Sequence, residues 1–156
     1  MSSHREPTAP IVLVAEDHNF DKMILEEVFA RAGIEADLRF VSDGEQMLDY
    51  LYRRGSFADA EHAPTPRLVL LDLNMPRLDG RKVLRMVRAD DSLRHLPVIA
   101  LSTSESPKHI NEAYSIGINA YLIKPASIPD YVAKVSSLWK FWLETASLPA
   151  AEVARP

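Results

Sequence analysis

The sequence contains no cysteine, which excludes disulfide bonds and metal sites built on thiolates. It has only 5 glycines, none of them clustered, so it lacks the glycine-rich loop that cradles nucleotide phosphates. No apolar run approaches the roughly 20 residues that span a bilayer, and the polar segment 1–10 lacks the apolar core of a signal peptide. The net charge is −4 with no long basic run, which argues against nucleic-acid binding. We therefore expect a cytoplasmic protein that binds neither membrane nor nucleic acid.

Short apolar runs alternate with amphipathic segments along the chain. The runs predict strands at about 11–15, 37–41, 68–71, 97–101 and 120–123. A helical pattern follows each run, and the last one extends to about residue 143. This alternation predicts an α/β domain with a parallel sheet. Residues 11–143 form the predicted domain, between a disordered tail at 1–10 and a tail at 144–156.

Capping signals mark the ends of several predicted helices. Gly33 is placed to stop the first helix. Ser42, with Glu45 three residues later, is typical of a capping box at the start of the second helix. Ser127 is placed to open the last helix.

Polar groups able to bind metal or phosphate end four of the predicted strands. Glu16 and Asp17 follow the first strand, Asp72 the third, Ser102 the fourth and Lys124 the fifth. The carboxyl ends of parallel strands lie on one edge of the sheet, where such folds place their sites. The set suits a divalent cation, a carboxylate that accepts a phosphoryl group, and two groups that contact phosphate oxygens.

The three carboxylates of this set predict a cation site. Like charges held close together disfavour one another, and a bound cation relieves the repulsion. Oxygen ligands open to water suit Mg²⁺, or Mn²⁺ in its place. An alternative for Asp17 is an N-cap on the first helix, worth about 1 kcal/mol. Taken together with Asp72, Ser102 and Lys124, the pattern favours the metal.

In this order the residues resemble the receiver domain of two-component response regulators. The motifs that carry the resemblance are Glu16-Asp17, Asp72-Leu73-Asn74-Met75-Pro76 with Asp79-Gly80, Ser102-Thr103, and Tyr121-Leu122-Ile123-Lys124-Pro125. The match spans residues 11–143. It implies a flavodoxin-like, doubly wound sheet of five parallel strands in the order 2-1-3-4-5.

The resemblance also implies a role for each site residue. Asp72 accepts a phosphoryl group from a sensor histidine kinase, with Lys124 contacting the phosphate and Ser102 and Tyr121 acting as a switch pair. Thr103 lies near the phosphate path, where the family usually has a smaller residue. The implied Mg²⁺ ligands are Glu16, Asp17, Asp72 and the backbone carbonyl of Asn74. Such a protein is a phosphoacceptor with self-catalysed phosphorylation and dephosphorylation only, and is not an enzyme.

Three further segments are similar to single-domain regulators paired with bacterial phytochromes. They are 57–60, 101–104, and 141–144 with Leu148-Pro149. This narrower resemblance implies a bacteriophytochrome as the kinase.

Two alternatives to a signalling role stay open. One is a phosphorelay intermediate or phosphate sink. The other is a phosphatase-type enzyme that forms an aspartyl phosphate. Such enzymes usually carry a second Asp two positions after the nucleophile, where this chain has Asn74, and an amide cannot supply a proton in that role.

The last predicted helix carries more apolar residues than one core can use. Consecutive helical residues diverge by about 100°, so the run 141–143 cannot all face one core. With no output domain expected, we predict signalling through protein contact and a symmetric homodimer. The predicted interface comprises Tyr131, Leu138, Phe141, Trp142 and Leu143, with Tyr114 and Ile116 as neighbours. The alternative is that the C-terminal tail folds back over this face.

Overall fold

A computed structural model of the chain describes residues 9–59, 61–75 and 79–149. Ala60 and Pro76 of the motifs above lie outside the described residues. So do residues 1–8 of the predicted N-terminal tail and 150–156 of the C-terminal tail.

Five strands and five helices alternate along the chain. They are β1 (Ile11–Ala15), α1 (Asn19–Arg31), β2 (Asp37–Val41), α2 (Gly44–Tyr52), β3 (Leu68–Asp72), α3 (Gly80–Ala89), β4 (Val98–Ser102), α4 (Pro107–Ile116), β5 (Ala120–Ile123) and α5 (Ile128–Trp139). The strands pair in parallel in the order β2-β1-β3-β4-β5. The predicted fold and strand order are therefore confirmed.

Helices cover both faces of the sheet. The apolar sides of α2, α3 and α4 pack on one face, and those of α1 and α5 on the other. Strands β3 and β4 are buried along their whole length, which explains their continuous apolar sequences. Strand β5 lies at the edge of the sheet and is half-buried throughout. In the described part of the chain, no helix has the length and apolarity needed to cross a bilayer.

The start of α2 differs from the prediction by one residue. Asp43, not Ser42, is the N-cap, and its carboxylate accepts a hydrogen bond from the backbone N–H of Gln46 at 2.8 Å. The Gln46 side chain in turn accepts from the N–H of Ser42 at 2.9 Å. The Ser42 hydroxyl instead accepts from the ammonium of Lys22 at 2.9 Å, a partner on α1 that a local capping pattern cannot reveal.

The last helix changes its winding after Trp139. Ser127 caps its start as predicted, accepting from the N–H of Asp130 at 3.2 Å. The α-helix ends at Trp139, short of the predicted residue 143, and continues as a wider π-helical turn over Lys140–Thr145. The wider turn takes more residues per revolution and therefore changes which side chains face the core.

The residues of the predicted interface differ in their exposure. Tyr131 lies in the core with only 6% of its surface exposed, because it shares the inward stripe of α5 with Val135. Trp142 and Leu143 are half-buried against the same core cluster, as is Leu138. Phe141, at 53%, is the one strongly exposed member of the predicted set.

Candidate functional site

The register of the sheet brings the predicted site residues to one edge. Ala15 lies opposite Leu71, so the residues that follow, Glu16 and Asp72, are neighbours across adjacent strands. Ser102 ends β4 beside β5, where the N–H of Lys124 donates to its carbonyl at 2.8 Å. Glu16, Asp72 and Ser102 are all buried, at 5%, 8% and 5% exposure.

Lys124 reaches across the edge to a carboxylate. Its ammonium lies 3.0 Å from Glu16 Oε2 and 3.9 Å from Asp21 Oδ2. These are its ion pairs within the described part of the chain, so Lys124 pairs with Glu16 rather than with Asp72. Burial raises the pKa of Glu16, against the favourable charge and hydrogen bond of Lys124, and the charge of Asp72 raises it further. Sequence patterns did not single out Asp21, whose position one turn into α1 places it beside Lys124.

Asp17 carries a buried oxygen without a partner. Its Oδ1 is buried and makes no hydrogen bond with the described residues. His18, not Asp17, is the N-cap of α1, so the capping alternative for Asp17 is wrong. Ligand atoms of Glu16, Asp17 and His18 all lie within 4.8 Å of one another, although the His18 side chain is 70% exposed. An unpartnered buried carboxylate oxygen beside a second carboxylate is a suitable place for a cation.

The turn after Asp72 is held by its own side chain and by α3. Asp72 Oδ1 accepts a hydrogen bond from the backbone N–H of Asn74 at 2.9 Å. Asp79 caps α3 by accepting from the N–H of Arg81 at 2.7 Å. A Cβ on Gly80 would lie 2.6 Å from the carbonyl oxygen of Asp72, so only glycine lets α3 approach the turn this closely. The Asp-Gly pair therefore supports the position of Asp72.

Ser102 and Tyr121 both contact Ser104, a residue that the sequence reasoning missed. The Ser102 hydroxyl accepts from the N–H of Ser104 at 3.1 Å, and the Tyr121 hydroxyl donates to the Ser104 carbonyl at 2.9 Å. The Ser104 hydroxyl lies 2.7 Å from Nδ1 of His109, on the first turn of α4. One residue thus links the two predicted switch side chains to α4.

A cavity of about 140 Å³ opens between α1 and α5 beside Lys124. Thr103 is exposed and lines this cavity together with Glu16 and Lys124. Tyr131 lines it from within the core, where burial raises the pKa of its hydroxyl. The cavity is continuous with the group formed by Glu16, Asp21 and Lys124.

The sequence and the structure both resemble known proteins. The family model of the response regulator receiver domain matches residues 12–136. Response regulator Rcp1 of Synechocystis is 36% identical over 151 residues, covering 97% of this chain and 100% of Rcp1. The Mn²⁺-bound crystal structure of Rcp1 superposes with a TM-score of 0.79 at 34% identity, covering 90% of this chain and 99% of the other.

Two further crystal structures are similar over nearly their whole length. Response regulator RPA3017, in red light signaling of R. palustris, superposes with a TM-score of 0.88 at 72% identity, covering 90% of this chain and 99% of the other. The phosphorylated cyanobacterial phytochrome response regulator RcpA gives a TM-score of 0.82 at 34% identity, with coverages of 91% and 99%. By sequence, fold and site, this chain belongs to the response regulator receiver domain family.

Proposed function

We propose that this receiver domain, spanning residues 11–143, accepts a phosphoryl group on Asp72 from a sensor histidine kinase. The observation that carries the proposal is the buried Asp72 carboxylate on the sheet edge that also holds Glu16, Asp17 and Lys124. A carboxylate can form an acyl phosphate, and phosphoryl transfer needs mainly positioning and charge neutralisation. We propose no other catalytic activity for the chain.

Mg²⁺, with Mn²⁺ as a substitute, is the proposed counter-charge. Glu16, Asp17, Asp72 and the backbone carbonyl of Asn74 would hold it, and the unpartnered Asp17 oxygen supports this assignment. When bound, the cation would neutralise charge on the phosphoryl oxygens. Lys124, which now pairs with Glu16, would supply a second positive charge to the phosphoryl oxygens.

The test of the acceptor is labelling with a small phosphodonor and Mg²⁺. We expect stoichiometric labelling of the wild type and none of Asp72→Asn. The matched control is Asp91→Asn, whose side chain is 93% exposed and which should be labelled normally. Labelling of Asp72→Asn at normal yield would contradict the assignment. Continuous turnover of the donor, without a labelled protein, would favour the phosphatase-type alternative.

The exposed side of α1 supports docking of a phosphodonor protein. Phe20 and Met23 are 72% and 66% exposed, one helical turn apart, on the helix that begins just after Asp17. We expect Phe20→Ala with Met23→Ala to slow phosphoryl transfer from a kinase and to leave labelling by a small phosphodonor unchanged. Met86→Ala on α3, where Met86 is 44% exposed, is the control. An equal loss with both donors would contradict a docking role.

The proposed kinase is a bacteriophytochrome. The support comes from relatives whose structures concern red light signaling and a phytochrome response regulator. The cytoplasm is the proposed compartment, because it supplies the ATP from which histidine kinases draw their phosphate. A relay role would leave Asp72 phosphorylation intact and pass the phosphoryl group on to a second histidine-containing protein. A sink role would also leave it intact but release the group to water as inorganic phosphate.

The switch proposal concerns Ser102 and Tyr121. If the Ser102 hydroxyl turns to bond the phosphoryl group, it releases the N–H of Ser104. The carbonyl of the same residue accepts from the Tyr121 hydroxyl, so a shift of Ser104 reaches Tyr121. We expect Ser102→Ala to accept phosphate but to lose the phosphorylation-dependent NMR shifts around α4 and β5, as a population shift requires. Shifts of normal size in that variant would reject the coupling.

The proposed output surface is a homodimer interface along β5 and the π-helical turn. An open depression there is lined by the edge strand, Lys134, Leu138 and Trp142, and the Phe141 ring stands next to it, 5.3 Å from that of Trp142. Truncating aromatic anchors typically costs an interface about 2 kcal/mol or more. Phe141→Ala should therefore shift sedimentation toward monomer while Asp72 still accepts phosphate. If the wild type sediments as a monomer both with and without a phosphoryl mimic, the dimer is contradicted. That result would favour the alternative, in which the chain's own C-terminal tail folds back over this surface.

A further inference from the structure

Arg81 connects three segments around the acceptor turn. It is the second residue of α3, and its side chain is only 18% exposed. Its Nη1 lies 3.4 Å from the carbonyl oxygen of Leu73 and 3.4 Å from Oδ1 of Asn74. Both residues belong to the turn that directly follows Asp72. The guanidinium therefore contacts the same turn that the Asp72 carboxylate holds through the N–H of Asn74.

The same guanidinium also reaches α4. Its Nε lies 3.6 Å from Oε1 of Glu112, and its Nη1 is 3.8 Å from Oδ1 of Asp79, the N-cap of α3. One planar group thus meets the acceptor turn, the start of α3 and the middle of α4. An arginine fork can serve several acceptors at once, which a lysine ammonium on a flexible stem does less well.

The contacts point to a role for a residue outside the family motif. We propose that Arg81 is a positioning residue: through Leu73 and Asn74 it fixes the turn that presents Asp72 and the Asn74 carbonyl to Mg²⁺, and Glu112 on α4 holds Arg81 in place. The proposal rests on the function proposed above for Asp72 and Asn74. It makes the Mg²⁺ affinity of the site depend on a contact with α4, and it gives α4 a second connection to the site besides Ser104.

The charge of Arg81 and its positioning contacts predict opposite effects of its removal on the affinity of the site for Mg²⁺. Loss of a positive charge next to an acidic site strengthens its attraction for Mg²⁺. Loss of a positioning contact weakens Mg²⁺ binding, because partners that orient metal ligands typically contribute 10- to 100-fold to affinity. The Arg81 contacts are long, so we expect about a tenfold loss, the lower end of that range. The sign of the change separates the two roles.

The experiment is calorimetric titration of the unphosphorylated protein with Mg²⁺. Arg81→Ala should raise the dissociation constant about tenfold. Lys82→Ala is the matched control, because Lys82 is the next residue, is exposed, and its side chain makes no ion pair or hydrogen bond with the described residues. It removes the same charge and should leave the affinity unchanged or slightly higher. Arg81→Lys should recover only part of the loss.

The variant Glu112→Gln tests whether Arg81 connects the acceptor turn to α4. Glu112→Gln should weaken Mg²⁺ binding in the same direction as Arg81→Ala but less, and the double variant should match Arg81→Ala alone. Additive effects would overturn the link between Glu112 and Arg81. If Arg81→Ala does not fold, Arg81→Lys and Glu112→Gln carry the test, since both retain a polar side chain at the contact.

A second readout uses the phosphorylated protein. The phosphoryl lifetime on Asp72 should change in Arg81→Ala and stay as in the wild type in Lys82→Ala, with urea unfolding as the measure of any general loss of stability. Mg²⁺ affinity in Arg81→Ala equal to or tighter than that of Lys82→Ala would overturn the proposal. A wild type that binds Mg²⁺ but is never labelled at Asp72 would instead contradict the proposed function, and the titration would still decide the role of Arg81.

Discussion

The two edges of the sheet differ in how completely their partly buried charged groups are paired. At the amino edge, Arg88 donates to the carbonyls of Gly117, Arg94 and Leu96 at 2.8, 2.7 and 2.9 Å, and to Oδ1 of Asn119 at 2.7 Å. These bonds join the end of α3 to the segments that lead into β4 and β5. Arg88 is half-buried, and its guanidinium makes short hydrogen bonds to four acceptors.

At the carboxyl edge, charge is left incompletely compensated. Glu16, Asp17 and Asp72 lie on this edge with Lys124, whose ammonium pairs with Glu16. Among the described residues Asp17 Oδ1 has no hydrogen-bond partner, and burial raises the pKa of Glu16. Native proteins rarely leave buried polar groups unpaired except where function needs them. The amino edge therefore contributes stability. The carboxyl edge holds an unfavourable cluster of negative charge, which a bound cation and a phosphoryl group would relieve.

We expect the largest change in the free energy of unfolding from Arg88→Ala, at the amino edge. The change removes four hydrogen bonds and leaves three backbone carbonyls without their Arg88 donor, so we expect a loss of about 3 kcal/mol in the free energy of unfolding. Urea denaturation measures it. Arg85→Ala is the control on the same helix, where an exposed arginine should matter by less than about 0.5 kcal/mol. Phosphorylation of Asp72 should persist in Arg88→Ala below its unfolding midpoint, and equal stability of the two variants would contradict the structural role of the amino edge.

We expect Asp17→Asn, at the carboxyl edge, to have a smaller effect on the free energy of unfolding, and one of the opposite sign. The variant removes one of three crowded carboxylates and should raise the stability of the metal-free protein by about 1 kcal/mol. The same change should weaken Mg²⁺ binding, so that added Mg²⁺ stabilises the variant less than the wild type. Thermal unfolding in a chelator and then in Mg²⁺ gives both values. Destabilisation in the chelator would show that the Asp17 carboxylate supports the fold rather than straining it.

The smallest effect is expected in the pH dependence of Glu16→Gln. Because burial raises the pKa of Glu16, the folded protein holds this proton more tightly than the unfolded chain does. The cost of ionising Glu16 is therefore absent below its ordinary pKa of 4.5 and grows as the pH rises through the folded value. Without metal, Glu16→Gln should gain stability relative to the wild type as the pH rises from 4.5 toward 7. A difference that does not vary with pH would show that Lys124 fully offsets the burial.

Local patterns in the sequence predicted most of the fold. Strands β1, β2 and β5 have the expected bounds, and Gly33, with φ of 68°, follows the end of α1. The capping box failed at Ser42 because Asp43 and Gln46 fit the same spacing one residue later. The interface stays a prediction, and Tyr131 lies in the core of the single chain, because an apolar residue on a helix indicates a buried face without saying what covers it.

The sequence by itself determined which chemical groups stand at the site. Apolar runs that end in Glu16, Asp72, Ser102 and Lys124 predict parallel strands, and the geometry of a parallel sheet then brings their ends to one edge. Only the tertiary structure decided which of these groups pair. Lys124 forms a hydrogen bond with Glu16, 108 residues away along the chain, and Arg81 forms an ion pair with Glu112 on another helix. Arg88 donates hydrogen bonds to acceptors in two loops. Periodicity records which side of an element is buried, whereas the partner of a polar side chain depends on how the elements pack.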